Sequence, residues 1–291
     1  MLFRIPYTSK NQFTTTRIPV LLMINLICLI ADAQTNITVI SWNIRLETES
    51  DGHHAWRFRR EAVVDFLKQE QPAIIGFQEA LHAQVEYLQT QLGGYSFVGV
   101  GRADGHEAGE YVPVFYDTAR FHMMNAGHFW LSETPEIAGS KGWDADCERM
   151  VSWVRLQEKR SSRQLLVVNT HLDHIGVEAR KMSVDMLLAF LAVHTDEELI
   201  LMGDFNFSPD DPNYPRLTAA LTDARQIEPV WEERERPTYT GFDQDEENDA
   251  LVDFIFLSKG ILPASYRAPI LNTGNLIPSD HRPVVVGLYL P

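Results

Sequence analysis

The sequence predicts an α/β fold, on three observations. Short β-rich apolar runs alternate with helical patterns from residue 37 onward. Several of these runs stop abruptly at Asn, Glu, His or Asp. The chain has 291 residues with 45% hydrophobic content, enough for a substantial core in one domain of ordinary size.

In chain order, Ile37–Ile44 reads as a strand, Trp56–Gln69 as a helix, Ala73–Phe77 as a strand and His82–Leu92 as a helix. Tyr111–Tyr116, Phe121–Leu131, Val151–Leu156 and Gln164–Asn169 follow as strands without helices between them, which calls for antiparallel or mixed pairing. A helix returns at Val177–Val193, before the strand Leu199–Met202. A Pro-rich loop, a helix around Arg216–Ala224 and the strands Leu251–Leu257 and Pro283–Leu290 complete the pattern. There is no internal repeat or interdomain linker. The acidic run from Asp243 to Asp249 reads as a solvated loop.

Residues 1–33 read as a separate secretory signal peptide, leaving 34–291 as the folded domain. Arg4, Lys10 and Arg17 form a basic leader, Val20–Ala31 is apolar, and Ala31-Asp32-Ala33 fits an A-x-A cleavage site. The apolar stretch is short of the roughly 20 residues that span a bilayer, so no membrane span is expected. The protein would be secreted or periplasmic. Removing three basic residues and one acidic one takes the formal net charge from −15 to −17. Long nucleic acids are gripped mainly by Lys and Arg on phosphates, so this charge disfavours a polynucleotide partner and leaves small phosphoesters open. Only Cys147 remains after cleavage, so no intramolecular disulfide can form. A monomer is expected.

The strand ends carry the chemistry. Ile37–Trp42 runs into Asn43, and Ile74–Gln78 into Glu79. Leu165–Thr170 runs into His171, Leu172 and Asp173. Leu199–Met202 breaks into Gly203-Asp204-Phe205-Asn206, whose carboxylate and carboxamide are two residues apart and therefore on one face. Leu251-Val252 carries Asp253 into Phe254–Leu257, and Ser279-Asp280-His281 precedes the last strand. Each has a plainer reading: Gly-Asp-Phe-Asn is a good turn, Glu79 a helix cap, His171 a satisfied core histidine. Taken together, they can converge on one cleft at strand ends.

This ordered set, spread over residues 41–281 as Ser41-Trp42-Asn43, Gly76-Phe77-Gln78-Glu79, Asn169-Thr170-His171-Leu172, Gly203-Asp204-Phe205-Asn206 and Ser279-Asp280-His281, resembles the endonuclease/exonuclease/phosphatase superfamily. Trp56 with Arg59, Gly109-Glu110-Tyr111, Phe129–Pro135 and Gly142-Trp143-Asp144 look like a secreted bacterial subgroup of it. The resemblance implies a four-layer α/β/β/α sandwich of two facing mixed sheets flanked by helices, and Mg²⁺-dependent phosphoester cleavage. It implies that Glu79 holds the metal with Asn43 nearby, and that Asp280 can join it. Asp204, helped by Asn206, would position or deprotonate the attacking water. Asp253 would orient His281, and His171 would steady the phosphoryl oxygens or leaving group. Oxygen ligands without a Cys or His cluster suit Mg²⁺, or Mn²⁺, over zinc. One departure is Arg45, where apurinic-type endonucleases tend to carry a metal-binding acid.

The leading expectation is therefore a secreted, metal-dependent phosphodiesterase or phosphatase for a small or lipid-linked phosphoester. An extracellular nuclease and a non-catalytic phosphoester-binding module are the alternatives. Glu110, Tyr111, Trp143, Asp144 and Arg149 are the candidate substrate contacts, set against ordinary packing or a surface ion pair for each.

Overall fold

Residues that are apolar on both faces of a strand demand cover on both faces, and the central strands meet that demand in a computed structural model. It describes residues 35–226, 233–242, 249–271 and 276–290. The expected signal peptide and residues 243–248 of the acidic run lie outside them. The chain from Thr35 onward forms one compact unit.

The elements are β1 (Thr35–Asn43), a 3-10 turn (Glu49–His54), α1 (Trp56–Glu70), β2 (Ile74–Gln78), α2 (His82–Gln91), β3 (Tyr95–Val98), β4 (Val114–Asp117), β5 (Phe121–Trp130), β6 (Met150–Glu158) and β7 (Gln164–His171). Then come α3 (Val177–Ala192), β8 (Glu198–Asp204), α4 (Tyr214–Thr218), β9 (Thr222–Asp223), a 3-10 turn (Ala224–Gln226), β10 (Asp253–Leu257), β11 (Leu262–Arg267) and β12 (Val284–Leu290). They build two six-stranded mixed sheets, ordered β11-β12-β1-β2-β4-β3 and β5-β6-β7-β8-β10-β9. Each sheet contains one parallel pair, β1 with β2 and β7 with β8, joined by α1 and α3 respectively. The remaining neighbours pair antiparallel.

Alternate side chains of the central strands meet between the sheets. Ile37 and Val39 of β1, Leu165 and Val167 of β7, Ile200 and Met202 of β8, and Ile255 and Leu257 of β10 share one buried cluster. The opposite phase, Ile40 and Trp42, packs against Val63, Val64 and Leu67 of α1 and Val85 and Leu88 of α2. Leu166, Val168, Leu199 and Leu201 likewise pack against Val184, Leu187 and Leu191 of α3 and Leu217 of α4. The result is the expected four-layer sandwich.

Towards one end the intersheet phase turns polar. Gln78 Nε2 donates to Asn169 Oδ1 at 2.7 Å and to Ser41 Oγ at 3.3 Å, while Asn169 Nδ2 donates to the carbonyls of Phe77 at 2.7 Å and Pro113 at 3.0 Å. All three side chains are fully buried. This bridge ties β1 and β2 of one sheet to β7 of the other and fixes which residues lie beyond it. Gly76 makes room for the crossing, since a Cβ there would meet Met202 Cε at 2.7 Å and Asn169 Cγ at 2.9 Å.

Two expected elements change and two edge strands are added. The strand at Tyr111–Tyr116 shortens to β4, because Pro113 has no N–H for the ladder and Tyr111 forms only an isolated bridge to Ala80. The helix at Arg216–Ala224 shrinks to α4, because Asp223 pairs with Phe256 of β10 and takes bonds from Tyr214 and Arg225. The edge strands β3 and β11 are additional; β3 lacks a buried face and β11 carries Pro263 with a register shift beside it.

Asn169→Ala strips the intersheet bridge and leaves Gln78 and two carbonyls short of partners. It is expected to lower unfolding free energy by about 1–3 kcal/mol per unpaired buried group, read as a reduced urea midpoint at constant m-value. An unchanged midpoint refutes the bridge's structural role.

Candidate active site

Beyond the polar bridge, the carboxyl ends of both parallel pairs open onto one cleft of about 570 Å³. In register, Asn43 lies beside Gln78, His171 beside Asp204, and Asp204 beside Asp253. Three of the four strand ends, those of β1, β2 and β8, then break with a non-glycine residue in the left-handed region: Arg45 at φ +57°, Glu79 at +62° and Asn206 at +50°. Such backbone costs about 1–3 kcal/mol and persists where surroundings enforce it. Gly203 permits the approach of β8 to β7, because a Cβ there would lie 2.1 Å from the Thr170 carbonyl oxygen.

Asp204, 1% exposed, is the hub. Its Oδ2 accepts from Asn43 Nδ2 at 3.0 Å and lies 3.5 Å from His171 Nε2 and 3.7 Å from His281 Nε2. Its Oδ1 accepts from the Asn206 N–H at 3.0 Å, so the turn expected of Gly-Asp-Phe-Asn exists and presents the carboxylate. His281 Nδ1 bonds Asp253 Oδ2 at 2.8 Å. The imidazole thus stands between two carboxylates on adjacent strands that would otherwise repel. The backbone of His281 is fixed by Trp42 Nε1 on its carbonyl at 2.9 Å and by Ser279 Oγ on its N–H at 3.2 Å. Tyr239 packs edge-on against the ring at 5.0 Å.

Burial alone would lower the His281 imidazolium, but the charges of Asp253 and Asp204 outweigh it and raise it to about 10. Burial, with the charge of Asp253, raises the Asp204 carboxyl above the ordinary carboxylate range. Burial and then Arg149 hold His171 well below the ordinary imidazole value, so it is neutral. Its tautomer follows from Asn206: Nδ2 donates to the Leu172 carbonyl at 2.9 Å and reaches His171 Nε2 at 3.0 Å. Nε2 is then the acceptor and Nδ1 carries the proton.

Glu79 does not cap α2, whose first turn is closed by Gln84 Oε1 accepting from the Leu81 N–H at 3.1 Å. Its carboxylate instead accepts from Asn43 Nδ2 at 3.0 Å and the Leu46 N–H at 3.2 Å, and lines the cleft with Asp280. Asn43 turns its amide nitrogen, not its oxygen, to Glu79 and Asp204, while Oδ1 accepts from the Arg45 N–H at 3.0 Å. It therefore orients those carboxylates. The donor set fits a hard cation. Asp280 Oδ2 has its nearest cation, Arg45 Nε, 3.9 Å away, and burial raises the Asp280 carboxyl. Asp204, Asp253 and His281 also present ligand atoms within 4.8 Å of one another, with His281 already seated between the two carboxylates.

Of the candidate substrate contacts, Glu110 and Arg149 line the cleft. Glu110 pairs with Arg102 at 2.7 Å, and Arg149 pairs with Asp173 at 3.4 Å. The other three do not face it. Tyr111 is buried and bonds the His106 carbonyl at 2.8 Å and His82 Nδ1 at 2.9 Å. Asp144 accepts from the N–H groups of Glu178 at 3.2 Å and Ala179 at 2.6 Å, filling the unsatisfied donors at the start of α3. Trp143 is half-buried, and its N–H points to Glu133 at 3.4 Å. Sequence reasoning gave no site role to Arg102, His174 or Tyr239, which also line the cleft; none lies at an apolar strand's carboxyl end.

The pattern of the endonuclease/exonuclease/phosphatase family matches residues 40–281. A family structure from Bacteroides vulgatus is 30% identical, with a TM-score of 0.81 over 88% of this chain and 100% of its own. A mannosyl-6-phosphatase from Bacteroides thetaiotaomicron is also 30% identical, with a TM-score of 0.79 over 87% and 99%. An uncharacterised protein of Acanthamoeba polyphaga mimivirus is 27% identical over 168 residues, 55% of this chain and 62% of the viral protein. Among the described residues no helix is long and apolar enough to cross a membrane.

The folded state binds protons at His281 and Asp204 more tightly than the unfolded chain. The His281 contribution is whole below its ordinary value of 6.5 and is lost as pH rises through about 10. The Asp204 contribution likewise falls as pH rises above 3.8. In chelator, the melting temperature should therefore decline between pH 6.5 and 10 more steeply for wild type than for Asp253→Asn. Parallel curves would contradict the imidazolium bridge.

Proposed function

The chain belongs to the endonuclease/exonuclease/phosphatase family, and from that premise we propose that it is a divalent-metal-dependent hydrolase of a small phosphoester, favouring the phosphomonoester of a sugar-sized alcohol. The observation that carries this reading is the convergence of Asn43, Glu79, Asp204, Asp253, Asp280 and His281 on one cleft. Hydrolysis is a reaction class shared by the family. The sugar-sized monoester rests on the 30% identity to the mannosyl-6-phosphatase. A cleft of about 570 Å³ suits a small ligand, and a net charge of −15 does not suit polynucleotides.

Glu79 and Asp280 would hold the ion, and their oxygens favour Mg²⁺ or Mn²⁺. When bound, that ion neutralises charge developing on the phosphoryl and leaving oxygens. Asp204, already turned by Asn43 and Asn206, orients the attacking water and takes its proton; a raised carboxyl is the better base near neutral pH. The water oxygen–phosphorus bond forms as the phosphorus–leaving oxygen bond breaks, and the leaving oxygen takes a proton from solvent, balancing the one passed to Asp204. His281, kept cationic by Asp253, donates to a phosphoryl oxygen. Neutral His171 lines the same cleft, with its ring held through Nε2 by Asn206. Residues 1–33 act as a secretory signal peptide in this reading; N-terminal sequencing of exported protein should begin near Gln34.

With Mg²⁺ or Mn²⁺, sugar phosphates should be hydrolysed well above an aryl phosphodiester or an oligonucleotide. Asp204→Asn and His281→Gln should each lower kcat/KM by about 10²–10⁴-fold. Absence of turnover on every class would leave a binding protein, and faster oligonucleotide cleavage would make it a nuclease.

A further inference from the structure

One cation on the Glu79 side of the cleft has no part in the chemistry described so far. Arg45 lines the cleft with its side chain 30% exposed. Its backbone is held in the left-handed region at φ +57° from both sides. Its N–H donates to Asn43 Oδ1 at 3.0 Å, and its carbonyl accepts from Arg59 NH2 at 2.7 Å and Gln84 Nε2 at 3.0 Å. Arg59 is itself fully buried and spends its donors on backbone carbonyls of this segment and of Pro278. Backbone strain sustained by that many contacts marks a position that the surroundings enforce.

The guanidinium is used on one edge only. Nε and NH2 bind Asp51 bidentately at 3.1 and 3.0 Å. NH1 makes no hydrogen bond among the described residues, and its nearest carboxylate oxygen, Glu79 Oε2, lies 3.8 Å away. An arginine pinned along one edge and open at the other presents a fork that matches the oxygens of a phosphoryl group.

The charges around it agree. Asp51, Glu79, Asp204, Asp253 and Asp280 face three cations, Arg45, Arg59 and His281. Two negative charges remain, which one divalent ion cancels. A phosphomonoester then brings up to two more, and a cation already fixed beside Glu79 can meet them without moving.

We propose that Arg45 is a phosphoryl-contacting residue: its open NH1 end, braced by Asp51, binds a non-bridging oxygen of the substrate beside the ion that Glu79 and Asp280 hold. This rests on the phosphoester reading above. It also makes Arg45 repel the ion it sits beside, so removing it should affect metal and phosphate in opposite directions.

The test uses the full-length protein, with Mn²⁺ titrated calorimetrically without substrate, inorganic phosphate as a competitive inhibitor, and steady-state kinetics. Arg45→Ala should bind Mn²⁺ at least as tightly as wild type, while the phosphate inhibition constant rises tenfold or more and kcat/KM falls about 10²-fold. Arg45→Lys should keep the fold and recover part of the phosphate affinity; it carries the test if the alanine variant unfolds. Weaker Mn²⁺ binding in step with lost activity would make Arg45 a mere support for Glu79 and overturn the proposal. Unchanged phosphate inhibition would overturn it equally. If wild type hydrolyses nothing, the hydrolase reading fails, whereas calorimetric titration of inorganic phosphate into the Mn²⁺-loaded protein still decides the role of Arg45, which is overturned if Arg45→Ala binds phosphate as tightly as wild type.

Discussion

A carboxylate with almost no exposure, set between two β-sheets, must find a donor or a cation on every side. Asp204 imposes that condition on its surroundings. Asn43 crosses from the other sheet to reach it, Asn206 folds back onto it, and His281 stands between it and Asp253. None of these partners is local in sequence except Asn206. The site exists only when both sheets, the 279–281 segment and the turn after β8 are all in place.

Two features of the fold meet the condition. Each sheet holds a single parallel pair, and both pairs end at the same cleft, so a strand–helix–strand unit from each half delivers polar groups at its carboxyl edge. The buried bridge of Gln78 to Asn169 lies just beneath and locks the two edges in mutual register. A one-residue slip in any of these strands would send its polar end outward and bring an apolar residue to the cleft. The left-handed residues Arg45, Glu79 and Asn206 then steer the chain off the ends of β1, β2 and β8.

Charge is distributed against the whole-chain balance. The chain is strongly acidic, yet Arg45, Arg102 and Arg149 all line the cleft. Arg102 and Arg149 are each paired to a carboxylate, with Glu110 and Asp173. Such pairing keeps cations at the cleft without making the surface a general polyanion binder. The cluster of Asp146, Cys147 and His174 nearby presents ligand atoms within 4.8 Å, but Arg149 NH2 lies 3.0 Å from His174 Nδ1 and opposes a second ion there.

The sequence by itself determined the strand and helix order, the continuous apolar runs that demand burial on both faces, and the polar groups at their ends. Those signals are local, since period and strand-end chemistry are written in adjacent residues. It therefore named Asn43, Glu79, His171, Asp204, Asn206, Asp253, Asp280 and His281, and the structure brings all eight together. It also named Tyr111, Trp143 and Asp144, which the structure places off the cleft lining, because an aromatic packed in a core or an acid capping a distant helix looks locally like a ligand contact. Only the tertiary structure decided that Asp144 serves α3, that β3 and β11 exist as edge strands, and that Asn43 turns its nitrogen to the carboxylates. It alone placed Arg45 with one guanidinium edge open beside Glu79. These depend on which distant residues become neighbours across two sheets, and that is fixed by packing and register.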